Sequence, residues 1–166
     1  MRLAADPHAV TPERYDAWYD TPRGRWIGGV EWPLLRSALE LRAGDSVLDV
    51  GCGTGWFTRR VAAEGPRVVG LDLDEGTLEF ARRHGPERQL PLADATSLPF
   101  GDRSFDKLMS VTALCFVQQW PEAVAETEPA WQTATLAKRV PTGRGLRRTS
   151  RAALRGCAAA RSARAR

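Results

Sequence analysis

Between residues 46 and 127 the apolar positions fall into two alternating kinds of segment. Ser46-Val-Leu-Asp-Val is a short apolar run with strand composition. Trp56 to Glu64 has helical spacing and stops at Gly65-Pro66. Arg67-Val-Val-Gly-Leu-Asp reads as a second strand. Asp74 then caps a helix from Glu75 to His84, which Gly85-Pro86 ends. Gln89-Leu-Pro-Leu-Ala is a weak third strand, and Phe105 to Val111 is a fourth. Trp120-Pro-Glu-Ala-Val-Ala-Glu opens another helix, with Pro121 in its first turn. Upstream, Thr11-Pro12 starts a helix, Thr21-Pro-Arg-Gly reads as a turn, and Leu34, Leu35, Leu39 and Leu41 mark a helix from Glu31. Parallel neighbours need long crossovers, so this alternation predicts an α/β fold: an open, mainly parallel sheet with helices on both faces. A ligand belongs beyond the carboxyl ends of its strands.

The chemistry gathers at those ends. Val47-Leu-Asp-Val-Gly-Cys-Gly-Thr-Gly55 runs a strand into three alternate glycines and then a helix. Glycine lets a ligand approach the backbone, and the helix start offers free N–H groups. The dinucleotide fingerprint GxGxxG is not met, because Trp56 stands where close packing needs Gly or Ala. The spacing is GxGxG, with Asp49 two residues ahead. Asp72 ends the second strand, where a carboxylate accepts from both hydroxyls of a ribose. Asp94 follows the third strand, where it either accepts from an adenine amino group or caps a turn. Leu98-Pro-Phe leads into the fourth strand, which carries Ser110 near its carboxyl end.

Taken together, these motifs resemble the class I, Rossmann-like methyltransferases that use S-adenosylmethionine, close to the ubiquinone/menaquinone-biosynthesis type. The resemblance covers roughly residues 13 to 125. It implies S-adenosylmethionine as cofactor and a small-molecule methyl acceptor as partner. It implies that Gly51, Gly53 and Gly55 shape the methionine and ribose pocket and that Asp49 holds the amino-acid end. Asp72 would bind ribose, Leu73 would pack on the adenine face, Asp94 and the Ala95 N–H would read adenine, and Ser110 would lie near the methionine. The helix bearing Tyr15, Trp18 and Tyr19 resembles the family's N-terminal cover, although plain packing on the sheet explains it equally. No catalytic base is named: His84 sits at a helix end, where a cation suits the dipole.

Charge changes the picture for the last third. The net charge is +4, but residues 1–128 hold all 20 acids and 14 of the basic residues, while residues 129–166 hold ten basic residues and no acid. Residues 141–166 contain no Val, Ile, Phe, Tyr or Trp. The division expected is therefore a helical cover over 1–42, the cofactor domain over 43–128 and a basic, disordered tail over 129–166. The sheet would stop at strands one to four of the family's seven, as in a truncated member. A shifted reading frame, a phosphate-binding tail and a short enzyme completed by a partner chain all account for such a tail. The lack of interleaved aromatics counts against nucleic acid. The fourth strand would be an exposed edge, open to self-association. The three cysteines form no CxxC pair, so no metal site is expected, and Cys52 and Cys115 read as buried small hydrophobes. No apolar run reaches the ~18 residues of a membrane span, and the first residues lack a signal-peptide core, which points to the cytoplasm.

Overall fold

Ser46–Val50 (β1) is buried along all but its first residue, as a parallel strand covered on both faces must be. Arg67–Leu71 (β2) and Phe105–Val111 (β3) flank it in parallel, and Trp131–Ala137 (β4) lies parallel to β3. The sheet order is β2-β1-β3-β4. The helices are Pro12–Trp18 (α1), Pro22–Leu39 (α2), Trp56–Ala63 (α3), Glu75–His84 (α4) and Trp120–Thr127 (α5). This computed structural model describes residues 10–85, 89–113, 117, 119–127 and 130–137.

The period of two in the strands sorts the core into two layers. Leu48, Val50, Val69, Leu71 and Leu108 share one layer with Ala123 of α5, and Phe105, at the start of β3, joins them outside that period. Val47, Val68 and Met109 face the other way, onto Leu35 and Leu39 of α2 and Trp56, Phe57 and Val61 of α3. Helices therefore cover both faces, and the expected α/β, Rossmann-like architecture is present. At the amino ends of the strands, the Ser46 N–H and hydroxyl both donate to Asp106 Oδ2, at 2.8 and 2.7 Å. The Asp106 N–H returns a bond of 3.1 Å to Ser46 Oγ. These bonds, the N–H first, hold the Asp106 carboxyl below the usual carboxylate range. From β3, the Lys107 ammonium donates to the Leu39 and Glu40 carbonyls at 2.7 and 2.6 Å. A cation thus closes the negative end of α2.

Three expectations need correction. First, α2 begins at Pro22, not Glu31. Thr21 accepts from the Gly24 N–H at 3.0 Å, so Thr21-Pro22 repeats the cap and first-turn signal of Thr11-Pro12. Second, the weak strand at Gln89–Ala93 is reduced to a single bridge between Asp72 and Leu92. Pro91 has no N–H to give to a ladder. Third, the sheet does not end at Phe105–Val111. β4 lies inside the stretch assigned to a tail and pairs with β3 from Phe105↔Trp131 to Val111↔Ala137. Trp131-Gln-Thr-Ala-Thr-Leu-Ala has few large apolar residues, but Trp and Thr suit a strand. With neighbours on both sides, β3 is not an open edge, and the self-association expected through it loses its basis. The arginine-rich remainder of the tail, Cys115 and Cys157 lie outside the described residues.

Candidate functional site

The carboxyl ends of β1, β2 and β3 open onto a cleft of about 950 Å³, a size usual for small-molecule sites. Its floor is the loop after β1. The Gly51 and Cys52 N–H groups both donate to the Leu71 carbonyl, at 2.8 and 2.9 Å, which turns the chain sharply out of the sheet. Gly51 has φ +75°, and a Cβ on it would lie 2.1 Å from the Ala113 Cβ. No other residue fits there. Gly53 donates its N–H to Asp72 Oδ2 at 2.9 Å, and the Asp74 N–H donates to Asp72 Oδ1 at 3.1 Å. The carboxylate at the end of β2 is thus held by backbone on both oxygens and directed along the cleft it lines.

Asp49 is 2% exposed and accepts from the Thr58 hydroxyl at 2.7 Å. Burial pushes its carboxyl up to about 7; the Thr58 bond opposes the shift, and the Asp72 charge adds to it. Burial likewise raises the Cys52 thiol. Asp94 Oδ1 accepts from the Thr96 N–H and hydroxyl at 2.8 and 2.7 Å, which holds its carboxyl below the usual range. Asp94 is therefore a turn cap that also lines the cleft. Ala95 is buried beside it, whereas Leu73 stands 63% exposed on the cleft wall.

The opposite wall is aromatic. Tyr15 and Tyr19 line the cleft, and Tyr19 stacks on Trp56 with ring centroids 4.0 Å apart. Arg60 lies over the far side of that indole, 3.2 Å from its centroid. Burial raises the Tyr19 phenol above its ordinary value. Trp18, the third aromatic of the expected cover, packs instead against the core under α2 and α3.

Two expected site residues do not line the cleft. Ser110 is buried and donates to the Val50 carbonyl at 2.8 Å, so its hydroxyl joins β3 to β1. Gly55, at φ +82°, is the N-cap of α3. His84 stacks on Phe80 and its Nδ1 meets the Phe80 carbonyl at 2.8 Å, away from the cleft. Conversely, Thr54, Thr77, Thr112 and Ala113 line it. Thr112 holds φ +57°, a rare conformation for a β-branched residue. The rule that ligands sit beyond strand carboxyl ends would have pointed to residues 111–113.

The site therefore combines a backbone-held carboxylate, a glycine loop, an apolar wall and an aromatic wall. Residues 48–129 match the methyltransferase domain family. Over that stretch the chain is similar to S-adenosylmethionine-dependent methyltransferases. It is 43% identical over 91 residues to the malonyl-[acyl-carrier protein] O-methyltransferase of Erwinia pyrifoliae, a match over 52% of this chain and 34% of that protein. It is 40% identical over 93 residues to the demethylmenaquinone methyltransferase of Renibacterium salmoninarum, over 56% of this chain and 39% of that one. Among solved structures, an S-adenosylmethionine-dependent methyltransferase from Mesorhizobium loti superposes with a TM-score of 0.61 at 33% identity, over 69% of this chain and 56% of the other. The chain thus spans little more than a third of the length of these two curated relatives.

S-adenosylmethionine is the cofactor that this family implies, and the residues present fit it. Among the described residues, Thr54 Oγ1 is the buried side-chain oxygen left without a hydrogen-bond partner, and Thr54 lines the cleft. A buried hydroxyl without a partner is costly unless a ligand satisfies it. Beside it, a Cβ on Gly53 would meet no protein atom within 4 Å, so ligand atoms can come up to the backbone.

Proposed function

We propose that this chain binds S-adenosylmethionine in the cleft and methylates a small molecule. The observation that carries this is the Asp72 carboxylate, fixed at the end of β2 by the Gly53 N–H of the glycine loop. Both oxygens are already oriented, so accepting from a ribose diol costs little further ordering. In this reading Leu73 and Ala95 supply apolar surface for the adenine ring and Asp94 accepts from its amino group; all three line the cleft. The glycine loop and the Thr54 hydroxyl meet the methionine portion, with Asp49 beneath them. Tyr15 and Tyr19 keep water from one side. When bound, the cofactor supplies a methyl group on an electrophilic sulfonium. The protein's part is then mainly to orient this group and exclude water.

The acceptor is proposed as a small molecule because one relative is named for demethylmenaquinone and another for a malonyl group, there held on a carrier protein. A cytoplasmic setting goes with this reading; no helix among the described residues is long and apolar enough to cross a membrane. The test is calorimetric titration of S-adenosylmethionine into the 166-residue chain, with Asp72→Ala as control. Micromolar binding that the control loses supports the proposal. A folded chain that binds no cofactor refutes it.

A further inference from the structure

Among the described residues, an ion pair ties α1 to α3 through an arginine that has no part in the cleft lining but also bonds the cofactor loop. Arg59, on the second turn of α3, places Nη2 at 2.8 and 3.0 Å from the two carboxylate oxygens of Asp16 on α1. Its other amino group, Nη1, donates to the Thr54 carbonyl at 2.7 Å. Both side chains of the pair are 21% exposed, so the charges are largely shielded from solvent and salt. A planar guanidinium can serve two acceptors at fixed angles, which a lysine cannot.

What it joins matters. Helix α1 is seven residues long and none of them is fully buried; Trp18 and the cap residue Tyr19 anchor its C-terminal end to the core, and the Asp16–Arg59 pair adds a polar tie beside them. Pro12, Tyr15 and Tyr19 form one wall of the cleft. At the other end of the clamp, the Thr54 peptide is part of the loop whose hydroxyl, on the same residue, is buried in the cleft without a partner. Arg59 holds that peptide by its carbonyl and so sets where the hydroxyl stands.

We propose that Arg59 is a positioning residue that couples α1 to the cofactor loop, so that ordering the tyrosine wall and shaping the Thr54 subsite are one event. This rests on the cofactor reading of the cleft. Arg59 touches no cofactor in this scheme; it acts through Asp16 on one side and the Thr54 peptide on the other. Cofactor affinity therefore depends on a pair of charges that lie outside the ligand's reach.

The experiment is a double-mutant cycle on the full chain, read by calorimetric titration of S-adenosylmethionine and by amide exchange of α1 with and without it. Arg59→Ala should weaken binding roughly tenfold or more, as expected for a lost charge-assisted bond, and Asp16→Asn should weaken it several-fold. The double variant should be no weaker than Arg59→Ala, because one coupled unit is lost once. Arg59→Lys should recover part of the affinity through Asp16 alone. In the wild-type chain the cofactor should slow exchange of the Tyr15 and Tyr19 amides, and in Arg59→Ala it should not. A folded Arg59→Ala chain with unchanged affinity, or two losses that multiply independently, overturns the coupling while leaving cofactor binding intact. Should Arg59→Ala not fold, Asp16→Asn decides, since it alters only a helix without buried residues; unchanged affinity there overturns the proposal. A wild-type chain that binds no cofactor overturns the cofactor reading itself, and the coupling with it.

Discussion

Asp49→Asn is expected to stabilise the cofactor-free protein, and to do so more as the pH rises. The Asp49 carboxyl is buried in the sheet with one side-chain bond, from Thr58, and burial lifts it from 3.8 to about 7. Between those values the native chain holds a proton that the unfolded chain gives up. The stability tied to that proton is fully present below about pH 4 and is lost as the pH rises through about 7. The gap is about three units, and each is worth about 1.4 kcal/mol, so the limit is about 4 kcal/mol by pH 8. Asparagine has the same size, its amide oxygen keeps the Thr58 bond, and it has no charge to bury. Urea denaturation of both chains at intervals from pH 4.5 to 8 measures the difference directly, provided the slopes match. Subtracting one curve from the other removes the groups that both share. A difference that stays flat with pH, or that shrinks as the pH rises, would refute the claim that burial dominates this carboxyl.

Gly51→Ala and Gly53→Ala should differ. At Gly53, φ +55° with open space around the Cβ should cost about 1 to 2 kcal/mol of unfolding free energy. Gly51→Ala meets the Ala113 Cβ as well, so it should cost more, and adding Ala113→Gly should recover the excess. Ser110→Ala should lower stability by about 1 kcal/mol through the lost bond to Val50, with no change in cofactor affinity by calorimetry. Weaker binding would put the hydroxyl at the ligand after all. Thr112→Gly, at φ +57°, should raise the denaturation midpoint by relieving about 1 kcal/mol of backbone strain. A lower midpoint would mean that contacts of the threonine side chain outweigh the strain.

What could be seen in the sequence follows from how local each signal is. The run from Val47 to Gly55 was legible because a strand, three left-handed turns and a helix start each demand particular residues in a fixed order. Asp72 was legible because it ends an apolar run at a fixed distance from Asp49. The beginning of α2 was misread because Thr-Pro serves equally for a turn and for a helix cap, and only packing decides. β4 was missed because its pairing with β3, not its own composition, makes it a strand. The sequence puts Ser110 near a strand's carboxyl end, where ligands bind, but no sequence pattern records that its hydroxyl bonds sideways to Val50 within the sheet. Arg59 was invisible as more than a helix arginine, since Asp16 lies 43 residues away and long-range ion pairs leave no period in the chain.

The reciprocal bonds between Ser46 and Asp106 bear on how the fold is reached. β1 and β2 are joined through one short helix, but β1 and β3 must find each other across about 60 residues with no turn to align them. A slip of one position would send Leu108 to the face that Met109 now occupies. Such a slipped sheet could still bury apolar surface, so hydrophobic collapse alone would not reject it. It would, however, strand the Asp106 carboxylate without the two bonds it accepts from Ser46. The knot thus ties the register of β1 against β3 at the end of the sheet farthest from the cleft, and the alignment that satisfies it is the one in which the cleft forms.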